Sequence, residues 1–302
     1  MSGLPDREMA YNSHDPYDLP PLQGLGPVQG TLRVFVALQC WGYAAAHLQF
    51  GARSAMARLL EKEFFLSASQ TAVLDQLAAI ALAICGMICL LRPAWPVLLG
   101  LSAASTAFVV AKVWLGEGGH PAVIVSSHMA MMLSPLILAC ADFWPFPRKF
   151  SLGFWIAIVA MMRVAVCASF IGSGLQGLIE SHQGGDLVRV ATGAYEKFSR
   201  HAPTPLQAKI SLAIASAIQL GMGLALLMNR SRQAAGFAAV VGVFLAGCYS
   251  IGLGMAGYPR TLTHLVQGGL AAALFLFWSK AIKEGEFRYV PDLPTGKVKG
   301  GH

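Results

Sequence analysis

The sequence predicts an all-α, polytopic integral membrane protein of about eight transmembrane helices, arranged as two parallel four-helix repeats. Three observations predict this class. Of 302 residues, 55% are hydrophobic and only 12% are charged, whereas soluble domains carry roughly 25% charged residues. The apolar residues gather into stretches of about 20, the length at which a helix crosses the hydrocarbon core. Marker residues also recur in one order in both halves of the chain.

Residues 1–30 read as a cytoplasmic N-terminal tail. Asp6, Glu8, Asp15 and Asp18 stand against Arg7 alone, followed by a Pro/Gly-rich approach from Leu19 to Gly30. A signal peptide would show a basic start and an apolar run, and none is expected here. Residues 31–145 form the first module, with spans at about 31–50, 71–91, 94–115 and 121–141. Residues 146–282 form the second, with spans at about 152–178, 206–228, 234–256 and 260–282, and residues 283–302 are a cytoplasmic C-terminal tail. Hydropathy with Gly, Pro and charge punctuation sets these bounds. In each half one connection is long, at about 51–70 and 179–205, and the others are tight. The long ones mix charged and apolar residues, as in Arg58-Leu59-Leu60-Glu61-Lys62-Glu63-Phe64-Phe65-Leu66. A short helix lying at the interface is expected there.

The repeat is carried by spacing. Arg33-Val34-x-Val36 recurs as Arg163-Val164-x-Val166, Gly42 as Gly172, and Glu61-Lys62 as Glu196-Lys197. Gly86 to Arg92 is echoed by Gly223 to Arg230, and Pro121 with His128 by Pro259 with His264, all at offsets of about 130–138. Five ordered matches at one spacing point to duplication. Four helices are an even number, so both copies enter the membrane in the same direction and the symmetry axis runs along the membrane normal.

The net charge of +7 resides in tails and connections without interleaved aromatics, which excludes nucleic acid as an expected partner. Arg92, Arg148, Lys149, Arg230 and Arg232 fall in short turns on the side of both tails. The positive-inside rule then places both termini in the cytoplasm, for a multi-pass protein of the bacterial cytoplasmic membrane. All six cysteines lie in apolar segments with no CxxC, so they read as packed thiols with no disulfide or metal role. No GxSxG, Walker loop or HExxH is present, which excludes the usual hydrolase and ATPase chemistries. A transporter is disfavoured by parallel repeats and the lack of clearly broken helices.

Ionisable residues in hydrocarbon cost a few kcal/mol each and need a partner, a cavity or a route to the surface. His128, His264, His47 and Asp75 all fall in the outer half of the membrane under this topology, and they form the candidate cofactor-binding cluster. Three readings stay open for it. His or Asp could hydrogen-bond a quinone and exchange its protons. His128 and His264 could ligate a haem b iron from opposite sides. Each imidazole could instead be interhelical glue, bonded to a carbonyl or to Ser126, Ser127 or Thr263. Arg33 and Arg163 are candidates for an ion pair or an anionic lipid headgroup, or for snorkelling to the surface, as are Lys112 and Lys209.

The unit running from Arg33 through Gly42, a long outer connection, a Gly-rich second helix ending at Arg92, a tight turn and two more helices resembles the DoxX-like family, a four-helix membrane module. Asn229-Arg230-Ser231-Arg232-Gln233-Ala234-Ala235 resembles that family's turn, a basic residue followed by small ones. The resemblance spans about 31–282 as two modules. It implies association with quinone-linked redox systems, such as the membrane subunit of a thiosulfate:quinone oxidoreductase. It transfers no catalytic residue. On this reading the partners are membrane lipids and the other membrane and soluble subunits of a complex; the competing class is a non-catalytic scaffolding subunit.

Overall fold

A computed structural model describes residues 26–117, 119–142, 152–228 and 231–284, and these are helical throughout, joined by turns. The helices are α1 (Gly26–Leu48), α2 (Ala55–Phe64), α3 (Ala68–Leu91), α4 (Trp95–Trp114), α5 (Pro121–Ser127), α6 (Met129–Ala141), α7 (Leu152–Gln183), α8 (Asp186–Ser199), α9 (Pro205–Met228), α10 (Arg232–Leu253) and α11 (Tyr258–Glu284). Most of the two tails, and the basic turn residues Arg148, Lys149 and Arg230, lie outside the described residues.

Four helical runs, Ala68–Leu91, Trp95–Trp114, Phe154–Gln183 and Pro205–Met228, are long and apolar enough to cross a membrane, as is the longer run Arg232–Ser279; the bent pair α5–α6 makes a sixth. The longer run is folded back on itself. Gly254, at φ +61°, breaks it, and α10 then lies antiparallel against α11. Thr261 Oγ1 donates to Ala246 O at 3.0 Å, and a Cβ on Gly242 would sit 2.8 Å from Gly268 Cα. The apolar surface faces outward as a membrane requires: Val73, Leu77, Ile80, Ile84, Met87 and Leu91 of α3 are all exposed, and so are Ile210, Ile214 and Ile218 of α9. Stripes of this size on a water-soluble monomer would be an aggregation hazard.

The core lies between α1, α6, α7 and α11, where Leu32, Ile137, Met162, Phe170 and Leu274 are buried. Around it α3 packs on α1 and α9 on α7, while α4 packs on α6 and α10 on α11. The first half joins the second through α1 against α11 and α7 against α5 and α6. Amphipathic helices α2 and α8 occupy the two long connections, as their mixed texture predicts.

The structure corrects two boundaries. The first helix starts at Gly26, not 31: Pro27 sits in the opening turn, where no N–H is needed, and Val28 and Leu32 are buried. The fourth span is not continuous. It bends by 42° between α5 and α6, with His128 at φ −100°, ψ 3° as the hinge residue, so the expectation of unbroken helices fails here. A second irregularity follows within α6. Pro135 has no N–H to donate to Met131 O, one turn back, and Gln39 Nε2 of α1 fills that vacancy at 3.0 Å.

Candidate functional site

The break at His128 builds the site. Where α5 ends, its last carbonyls lose their helical donors. Ser127 O is met instead by Ser169 Oγ of α7 at 2.9 Å and Gln267 Nε2 of α11 at 3.3 Å. Gln267 Nε2 also reaches Ser169 Oγ at 2.8 Å and Ser173 Oγ at 3.0 Å. This buried network joins the two halves at the centre of the molecule, and sequence reasoning missed it because Gln and Ser on a helix read as ordinary packing. The signal that could have found it is Gln267 itself, an amide one helical turn beyond His264.

His128 is held on both ring nitrogens. Nδ1 lies 2.9 Å from Ile124 O and 2.9 Å from Ser127 Oγ, and Nε2 lies 3.2 Å from Lys112 Nζ of α4. A carbonyl can only accept, so Nδ1 carries the hydrogen and Nε2 accepts from the Lys112 ammonium. That ammonium also lies 5.0 Å above the Phe108 ring, a cation–π contact. Lys112 is thus tied inward.

His264 is different. Its ring stacks on Tyr249, with centroids 4.7 Å apart and planes 11° apart, and neither imidazole nitrogen has a hydrogen-bond partner among the described residues. Both histidines line one cavity of about 510 Å³ enclosed by α7, α8, α9, α10 and α11 and the α5 end. Its polar residues include Ser127, Ser173, Gln176, Gln219, Tyr249 and Gln267, and its apolar wall is formed by Leu187, Val190, Leu212, Phe244 and Leu245. Ser216 borders the cavity too, but its Oγ is turned against Gly177 of α7 and is buried without a hydrogen-bond partner among the described residues. A cavity of this size and mixed lining is suited to a small organic ligand.

The predicted cluster therefore divides in two. His128 and His264 come together, but His47 and Asp75 line a separate cavity of about 370 Å³ in the first half, with Tyr43, Ser105 and Phe108. Their partners are structural. Asp75 accepts from Ser54 N at 2.9 Å and Ser54 Oγ at 2.5 Å, holding the start of α2, and His47 Nδ1 contacts Ala52 O. Arg33 Nε pairs with Asp142 Oδ2 at 2.5 Å. Arg163 has no such acid among the described residues: its Nε and Nη2 donate to Leu226 O and Leu227 O, capping the end of α9. Lys209 likewise donates to His182 O at the end of α7. Among the described residues no group of three or more His, Cys, Asp or Glu could hold a metal ion. The six cysteines are free thiols.

A haem iron does not fit this arrangement, because the one lone pair that neutral His128 could offer is already taken by Lys112. A ring with hydrogen-bonding oxygens does fit, since His264 has both nitrogens free of partners among the described residues and Gln219 also lines the cavity. No protein-family model matches this chain, and no curated protein or solved structure matches it.

Proposed function

We propose that this chain is an eight-span membrane subunit of a bacterial redox or respiratory assembly, and that its second-half cavity holds the ring of a quinone. The single observation that carries the ligand reading is His264, an imidazole on a cavity wall with both nitrogens unpartnered among the described residues. His264 and Gln219 would hold the ring oxygens, and Leu212, Phe244 and Leu245 the apolar body. A quinone supplies two-electron, two-proton carrier chemistry. The protein's part is to orient the ring, exclude water and offer hydrogen bonds at its oxygens.

Eight spans follow when the α10–α11 hairpin counts as two passes and α1 as one. Duplication of a DoxX-like module is supported by the order long, short, long, long, long, which occurs twice when the bent pair α5–α6 is counted as one span. It is supported also by matching close approaches. A Cβ on Gly86 would strike Trp41, and one on Gly223 would strike Ile171; a Cβ on Gly42 would strike Thr263, and one on Gly172 would strike Ser127. The short helices even end alike, at Phe65 and Arg200, the two non-glycine residues with positive φ among those described. Parallel modules put both termini on one side, and the basic short turns make that side the cytoplasm.

The test is purification in mild detergent, followed by mass spectrometry of the extracted lipid and of every co-purifying chain. The expected result is about one quinone per chain, lost in His264→Ala, with redox subunits attached. Preparations in which wild type and variant are both free of quinone while retaining partners would replace this reading with a scaffolding subunit.

A further inference from the structure

The walls of the His264 cavity are unequal, and their inequality indicates how a ligand reaches it. Its roof is α8, which is pinned at several points. Gly193 of α8 and Gly252 of α10 meet backbone to backbone: a Cβ on Gly193 would lie 2.0 Å from Gly252 O, and one on Gly252 would lie 2.3 Å from Val190 O. Glu180 Oε2 accepts from Leu187 N at 2.9 Å, and Arg260 Nη2 donates to Asp186 Oδ2 at 3.1 Å. The roof is therefore clamped to α7, α10 and α11.

The side wall is looser. Helix α9 leans on α7 and α10 leans on α11, so α9 and α10 meet only sparsely. Only three residues separate the end of α9 from the start of α10 in sequence, whereas the cavity residues Leu212, Ala215 and Ser216 of α9 and Leu245, Cys248 and Tyr249 of α10 lie toward their other ends. The cavity accordingly lies between their far ends, where α8 contacts both helices. The flanks there are apolar and outward-facing: Ile214 and Ile218 on one side, and Phe244, stacked on Phe198 of α8 at 6.2 Å, on the other. Beyond these flanks lies the surface assigned to lipid; behind them lies His264, unpartnered among the described residues.

We infer that the cavity is loaded sideways from the bilayer, through the gap between α9 and α10, and that its ligand is an amphiphile already dissolved in the membrane, with a hydrogen-bonding head and an apolar body. This rests on the cavity's binding role proposed above, but not on the ligand being a quinone. A hydrophilic solute from the aqueous phase is excluded by the clamped roof, and a fully apolar one would leave the polar inner wall unsatisfied.

Cys248, native and on the cavity wall, is the reporter. The unmodified chain is reconstituted in phosphatidylcholine vesicles opened to both faces and treated either with a maleimide on a decyl chain or with a sulfonated, membrane-impermeant maleimide. Peptide mass spectrometry then reads the labelling of Cys248, with His201→Cys on the exposed loop after α8 as the aqueous control. The decyl reagent is expected to label Cys248 at least tenfold faster than the sulfonated one, with the reverse order at position 201. Phe244→Ala, which widens the gap, is expected to accelerate only the decyl reaction. Equal labelling of Cys248 by both reagents, or labelling by neither, overturns the proposal. A separate arm adds a fully substituted benzoquinone with a decyl tail: protection of Cys248 supports the quinone assignment, and unprotected but lipid-selective labelling removes that assignment while leaving the lateral route intact.

Discussion

Gly172→Ala should cost more stability than its size suggests, and the structure says how much. A Cβ at Gly172 would lie 2.2 Å from Ser127 N and 2.6 Å from the Ser126 carbonyl carbon. Ordinary contacts between such atoms are about 3.5 Å, so α5 and α7 must separate by roughly 1 Å. Two of the obstructing atoms are backbone and cannot rotate away. Overpacking of this kind costs about 1–3 kcal/mol, and the displaced residue is the one that joins His128 to the Ser169–Gln267 network. Gly221→Ala and Gly247→Ala are the controls: both sites are helical, with nothing within 4 Å of the new Cβ. They should be neutral or gain about 0.5–1 kcal/mol from reduced backbone entropy. Reversible unfolding in mixed micelles, titrated with sodium dodecyl sulfate and followed by circular dichroism, measures all three. If Gly172→Ala unfolds with the wild type, or the controls lose as much as it does, the close crossing at the broken helix is not there.

Other expectations follow from the same contacts. Gln267→Leu removes the donor shared by Ser127, Ser169 and Ser173, and should cost about 1–3 kcal/mol in the same unfolding assay; an unchanged midpoint would remove the network from the core. Arg33→Ala leaves Asp142 partly buried and alone. Its cost should fall between the limits for exposed and buried pairs, about 1–2 kcal/mol, and a double-mutant cycle with Asp142→Ala should show coupling; additivity within about 0.3 kcal/mol would deny the pair. Asp75→Ala should loosen α2 alone, by about 1 kcal/mol as for a lost helix cap. Hydrogen exchange should then quicken in 54–65 but not in 186–199, whose anchors are Glu180 and Arg260; equal quickening of both helices would contradict it.

Much of the fold was legible because a membrane imposes a length on every span. Runs of apolar residues placed the helices to within a few residues, and the pairing of long and short connections placed α2 and α8. The start of α1 was misread because Gly26-Pro27 looks like the end of a loop, although Pro in a first helical turn is equally a start signal. The bend at His128 has no Gly or Pro at the hinge and was invisible; its cause is tertiary, in donors from α7 and α11 that reward a freed carbonyl. The candidate site was half legible. Hydropathy gives a residue's depth but not its bearing around the bundle, so His47 and Asp75 were grouped with His128 and His264 although a different set of helices encloses them. The same limit hid Lys112, expected to reach the surface but in fact turned toward His128. Arg33 and Arg163, alike in sequence, differ in partner because Asp142 closes α6 beside Arg33, whereas Arg163 meets the carbonyl end of α9.

Equilibrium binding of a fully substituted decyl benzoquinone to the detergent-purified chain tests the His264 cavity most directly, with His264→Ala and Gly221→Ala measured alongside. One equivalent should bind to wild type and to Gly221→Ala, with affinity at least tenfold weaker in His264→Ala. Binding that is absent, or that ignores the loss of His264, would contradict the account.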